Sequence, residues 1–138
     1  MSGPLWVAMD ARPRRKPADV LNAGIPTDPG VYAWYRRGGA IYVGKADSLQ
    51  QRLWSNHLGR GRVMTGSAFR RNVAQHLGIA TANDIKTKVY QPTDDEVRAV
   101  RDFIDGCEVA WLTCETKPAA LHLETGMKRE WLPRLTRM

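Results

Sequence analysis

Two short runs of β-branched and aromatic residues, Val31–Tyr35 and Ile41–Gly44, stand on either side of Gly38-Gly39. Strand-forming runs around a double glycine dictate an antiparallel hairpin. The length of its loop decides which side chains share a face, because a one-residue slip turns every side chain over. A two-residue loop at Gly38-Gly39 sends Tyr32 and Tyr42 to opposite faces. A three-residue loop, Arg37-Gly38-Gly39, sets Tyr32 against Gly44 and Trp34 against Tyr42, so that both phenols share one side. A glycine in the left-handed region closes such loops well. We therefore expect the odd loop, or a bulge with the same effect.

The rest of the chain is punctuated by caps and glycines. Asp47 or Ser48 starts a helix that reaches about Leu58 and is ended by Gly59. After the basic stretch GRGRVMTGS, Ser67–Leu77 forms a second helix with Phe69, Val73 and Leu77 on successive turns, closed by Gly78. Thr93 and Glu96 make a capping box for a third helix with the apolar stripe Val97, Val100 and Ile104. CEVAWLTC, Cys107–Cys114, is a strand. Thr116 then caps a last helix over Lys117–Trp131, which Pro133 prevents from continuing. Residues 1–29 hold Pro4, Pro13, Pro17, Pro26 and Pro29 with the basic run Arg12, Arg14, Arg15, Lys16. They read as a lead-in segment with one helical turn at Ala18–Ala23, its basic run either a solvated tail or an arm on phosphates. The order β-β-α-α-α-β-α predicts an α+β domain over residues 30–138. It holds a small three-stranded, largely antiparallel sheet flanked by helices, with a helical insertion at 59–106 between the first helix and the third strand.

A chain of 138 residues supports one core. Its net charge of +7 and pI near 9.8 favour a polyanionic partner, nucleic acid first. Cys107 and Cys114 are too far apart along one strand to bridge and lack metal-site spacing. They read as reduced core thiols of a cytoplasmic protein. No apolar run is long enough to span a bilayer, and the N-terminus has no leader pattern.

Glu124 is the odd residue of the last helix. At about 100° per residue, Ala120, Leu121, Met127 and Trp131 all fall within about 60° of it. A dry, unpaired carboxylate there would cost several kcal/mol, so it needs a cation, a metal ion or water. An ion pair with an arginine and a functional role account for it equally well. Between Asp47 and Asp84 lies no acid but five arginines, Arg52, Arg60, Arg62, Arg70 and Arg71, a surface suited to phosphates. Trp34, Trp54, Trp111 and Trp131 read as core, His76 as a surface residue, and His122 as facing away from Glu124.

GVY at 30–32, YVG at 42–44, Lys45-Ala46, Arg52 and ALHLETGMKREWLPRLT at 120–136 together resemble the GIY-YIG nuclease family. The resemblance spans residues 30–136, with a larger insertion than usual. It implies metal-dependent hydrolysis of DNA phosphodiesters around one Mg²⁺ or Mn²⁺ ion. By position, Glu124 resembles the metal-binding carboxylate and Arg52 the arginine that holds the scissile phosphate. Tyr32 resembles the general base, supported by Tyr42, with Lys45 lowering the phenol's pKa or steadying charge. The family's His or Tyr four residues past the arginine is replaced by Asn56, with His57 one step on. The family's asparagine twelve residues past the glutamate is replaced by Thr136. Arg60, Arg62, Arg70 and Arg71 of the insertion, with Asn56, are the expected substrate contacts.

The resemblance implies a bacterial DNA-repair type of endonuclease, structure-selective or acting on single strands, as a monomer or weak homodimer. A non-catalytic DNA-binding or adaptor module on the same scaffold, or a nuclease directed at RNA, stays open at this point.

Overall fold

The computed structural model describes residues 3–20, 24–57 and 67–137, with the backbone alone at 55–57. Strand β1, Gly30–Arg36, and strand β2, Gly39–Ala46, form the expected hairpin. Its turn is Arg37-Gly38, with φ of 54° and 83°. Two successive positive φ values are what a tight hairpin turn needs to follow the twist of its strands. The register runs Arg36 to Gly39 and Tyr35 to Ala40, then shifts between Trp34 and Tyr35. Ile41 is the extra residue, and beyond it Trp34 faces Tyr42 and Tyr32 faces Gly44. The loop is thus shorter than expected and begins at an arginine, while the bulge restores the odd offset. Both tyrosines emerge on one face.

Strand β3, Glu108–Thr113, pairs antiparallel with the other side of β1, giving the order β2-β1-β3. One face of the sheet carries Tyr32, Trp34, Tyr42, Val109 and Trp111. It is covered by helices α2, Ala68–His76, and α4, Asp94–Asp105, through Phe69, Val73, Val97, Val100 and Ile104. Trp34 stacks on Phe69 with ring centroids 4.8 Å apart. Ser67 caps α2 by accepting from the Arg70 N–H at 3.2 Å, and Thr93 and Glu96 form the expected capping box of α4. Between them lies a short helix α3, Ala82–Lys86, capped by Thr81; it lacks the apolar periodicity that would mark it in sequence. The other sheet face, Val31, Ala33, Tyr35, Val43 and Ala110, packs on helix α5, Lys117–Glu130, and on helix α1, Pro4–Asp10.

Helix α1 lies where a lead-in segment was expected. Trp6 and Met9 are fully buried, and the Trp6 indole donates to the carbonyls of Met127 and Trp131. No side chain of its own caps α1. Instead the Glu130 carboxylate accepts from the N–H groups of Leu5 and Trp6, both at 3.1 Å, satisfying orphan donors of the first turn. The anticipated turn at Ala18–Ala23 is replaced by a 3₁₀ turn at Pro17–Asp19, and 21–23 lie outside the described residues.

Both sheet edges are covered. Arg15 pairs with Val109 on the outer side of β3. On the outer side of β2, the Leu135 N–H donates to the Ile41 carbonyl at 2.8 Å, and the Val43 N–H donates to Thr136 Oγ1 at 3.0 Å. Unpaired ladder groups are satisfied without lengthening the sheet. Three further expectations are corrected. Trp54 is 41% exposed and Leu121 50%, so neither is core. The last helix stops at Glu130, and Trp131 is extended, packing edge-on to Trp6.

Candidate active site

The hairpin brings the two phenols together before any helix contributes. The Tyr32 and Tyr42 rings stack with centroids 6.2 Å apart and 28° between planes. Gly44 is required opposite Tyr32, because a Cβ there would lie 2.5 Å from the Tyr32 hydroxyl oxygen. Gly30 serves the same need at the start of β1, where a Cβ would strike the Leu112 carbonyl and the Leu49 side chain. The glycines of GVY and YVG are therefore packing requirements of the sheet.

Burial holds both phenols neutral. It pushes Tyr32 well above the usual tyrosine range, and the adjacent Tyr42 pushes it further. Burial also raises Tyr42, though the hydrogen bond between the two hydroxyls acts on it in the opposite sense, lowering Tyr42 while raising Tyr32. Arg52 lowers both phenols, Arg71 lowers Tyr42, and Glu124 raises both. The helix after β2, α2 and α5 thus each bring one charge, Arg52, Arg71 and Glu124, to bear on the phenol pair of β1 and β2.

Arg52 rises from a π-helical segment, Gln51–His57, entered through Ser48, whose hydroxyl accepts from the Gln51 N–H at 3.3 Å. Glu124 is mostly buried, with 13% of its side chain exposed, and its ion partner is Lys128 at 3.5 Å, one helical turn on. An arginine was one of the partners considered from sequence; the ion pair forms instead with a lysine, because i,i+4 spacing places it beside the carboxylate. Thr136, the substitute for the family's asparagine, spends its hydroxyl on the backbone of Val43, next to Tyr42.

Lys45 is placed elsewhere. It faces Val31 in the ladder, on the sheet side opposite the phenols, and sits 4.0 Å from Asp47. Among the described residues, Arg52 acts on both tyrosines and Arg71 on Tyr42. Arg70 is 4% exposed and lies by Arg101, whose charge disfavours its own. Arg60 and Arg62 lie outside the described residues, as do the side chains of Asn56 and His57, although the backbone of the latter two belongs to the π-helical segment. That widened turn was not legible from capping and composition.

The donor set suits a hard, hydrated divalent ion. Among the described residues no three His, Cys, Asp or Glu side chains cluster, which disfavours an all-protein cage such as structural zinc needs. One largely buried carboxylate near the phenol pair fits a magnesium-type site, where water and substrate oxygens complete the shell.

A family profile described as the GIY-YIG catalytic domain matches residues 30–135. The chain belongs to the GIY-YIG family. It is a nuclease domain, a hydrolase, with the antiparallel sheet order β2-β1-β3 at its centre. No curated protein sequence matches the chain significantly. Similar solved structures include the GIY-YIG N-terminal endonuclease domain of UvrC from Thermotoga maritima. A tyrosine point mutant of that domain, bound to its catalytic divalent cation, is 17% identical over 99% of each chain, with a TM-score of 0.45. The magnesium-bound form is 16% identical over 99% of each chain, with a TM-score of 0.41.

Proposed function

We propose that this GIY-YIG domain is a divalent-cation-dependent endonuclease that cuts DNA, with preference for single-stranded or branched substrates. The observation that carries the reading is the hydrogen-bonded Tyr32–Tyr42 pair lying under the opposed charges of Arg52 and Glu124. Arg52 binds the scissile phosphate through its planar fork. With one proton of the phenol pair lost to solvent, a loss that the positive charges of Arg52 and Arg71 favour, the remaining phenolate takes the proton of the attacking water, the pair acting as a unit. Tyr32 is the base that the family resemblance implies; the hydrogen bond between the two hydroxyls and the charge of Arg71 both favour negative charge on Tyr42. The water oxygen forms the new bond to phosphorus and the bond to the leaving oxygen breaks. Glu124 would hold the cation, Mg²⁺ or Mn²⁺, which when bound neutralises phosphate charge and stabilises the leaving oxygen. Thr136 fixes the backbone beside Tyr42. Arg71 and the exposed Trp54 offer the flanking strand a charge and a stacking plane.

No described helix is long and apolar enough to cross a membrane. We place the protein in the bacterial cytoplasm, as a monomer or weak homodimer, on its unpaired cysteines and basic charge.

Two observations favour a second reading, a DNA-binding module without cleavage: Lys128 already pairs with Glu124, and burial favours the protonated form of both phenols. Incubating the protein with single-stranded, flapped and duplex DNA, and with RNA, in Mg²⁺ and Mn²⁺ decides between them. The nuclease reading expects DNA products that vanish with chelator. Tight binding with no product in either metal supports the module, and products from RNA alone redirect the substrate.

A further inference from the structure

The far end of the same hairpin carries a second cationic site. A cleft of about 440 Å³ opens where the end of β1 meets the C-terminal turns of α2 and α4, lined by Arg36, Arg37, His76, Leu77, Phe103 and Arg134. No carboxylate lines it, and among the described residues none forms an ion pair with Arg36, Arg37 or Arg134. Arg36 is fixed in place. Its guanidinium lies 4.2 Å over the Phe103 ring and donates to the Phe103 carbonyl at 3.2 Å. His76 stands edge-on to the same ring at 5.5 Å, and burial with the charges of Arg134 and Arg36 pushes its pKa down. Three uncompensated guanidinium groups around a neutral imidazole make a strong anion trap.

The cleft lies on the chain that forms the active site. Arg36 lies four steps along β1 from Tyr32, about 13 Å on an extended strand. We propose that this cleft is a second phosphate subsite, holding a phosphodiester of the substrate strand that flanks the one cut at the phenols. The inference deepens the nuclease reading and rests on it for the class of ligand. Its consequence is a preference for strands long enough to reach both sites.

Binding of a labelled single-stranded oligodeoxynucleotide of about 12 nucleotides, followed by fluorescence anisotropy in chelator across a salt series, tests it without any cleavage. The variant is Arg37→Asn with Arg134→Ala. Asparagine before Gly38 suits the left-handed turn, and Arg134 is exposed, so the fold is retained. Removing two phosphate contacts should weaken binding about tenfold and make the log–log salt slope shallower by about 1.4. Arg98→Ala with Lys88→Ala, the same charge change elsewhere on the surface, should leave the slope near wild type. Arg37→Lys with Arg134→Lys should recover most of it. Equal losses in the two alanine-containing variants, or a wild type that does not bind the strand, overturn the proposal. A wild type that binds with the predicted slope change yet cuts nothing in any metal keeps the subsite and removes the nuclease reading.

Discussion

Gly44 faces Tyr32 across the β1–β2 ladder, and the Tyr32 hydroxyl occupies the space that a side chain at position 44 would need. A Gly44→Ala substitution places a methyl carbon 2.5 Å from that oxygen unless the ring moves. Tyr32 is fully buried, so its ring has little room to yield. Cleavage by Gly44→Ala should fall about 100-fold, with a stability loss of about 1–3 kcal/mol in denaturant titration. Wild-type turnover in this variant would separate the phenol's position from catalysis.

Thr136 joins the C-terminal segment to β2. Thr136→Val removes the acceptor of the Val43 N–H and should destabilise the protein by about 1–3 kcal/mol. Thr136→Ser keeps the hydroxyl and should stay close to wild type. Chemical denaturation of both variants checks this, and a valine variant as stable as the serine one would mean the bond contributes nothing.

Glu130 caps a helix distant in sequence. Glu130→Ala leaves the Leu5 and Trp6 N–H groups without their acceptor and should cost about 1–2 kcal/mol. Glu130→Gln, which retains one carbonyl oxygen, should lie between alanine and wild type. Amide hydrogen exchange over residues 4–10 localises the loss; uniform protection across the variants would contradict the capping role.

This contact also shows why part of the fold was hidden in the sequence. The hairpin, the capping box of α4 and the strand before α5 were legible because each signal is local: glycine at a turn, Thr93 with Glu96, a run of β-branched residues. Helix α1 was not, because its cap comes from Glu130 and its burial from Met127 and Trp131, while the prolines of residues 1–29 suggest a tail. For the site, the family resemblance implied Tyr32, Tyr42, Arg52 and Glu124, and the hairpin offset told which face the phenols share. The opposite placement of Lys45 follows from that same offset. Lys128 as the partner of Glu124 was readable from i,i+4 spacing alone. The cleft at Arg36, Arg37 and Arg134 joins the hairpin turn to the C-terminal segment, and no local pattern foretells such a meeting.

The pH dependence follows from the tyrosines. Burial raises Tyr32, Tyr35 and Tyr42 above their ordinary value of 10.0, and the hydrogen bond to Glu96 raises Tyr90. A folded-state pKa above the unfolded one gives stability that is whole below the unfolded pKa and is lost as pH rises beyond it. The protein should therefore show no phenolate absorbance below about pH 10, and stability should fall steadily above that. Tyr32→Phe should flatten the alkaline fall. Phenolate absorbance near neutral pH in the folded, metal-free protein would contradict the environment described for the pair.

The central claim is that one acid, one guanidinium and a phenol pair cut a phosphodiester around a divalent cation. The most direct measurement is the rate of cleavage of single-stranded DNA by wild type and Glu124→Gln in Mg²⁺ or Mn²⁺, with binding of the same strand followed in parallel. The account predicts that wild type cuts only with metal. It also predicts that Glu124→Gln cuts at least about 100-fold more slowly while binding the strand as tightly. Equal cleavage by the two proteins, or wild-type cleavage that survives chelation, would contradict it.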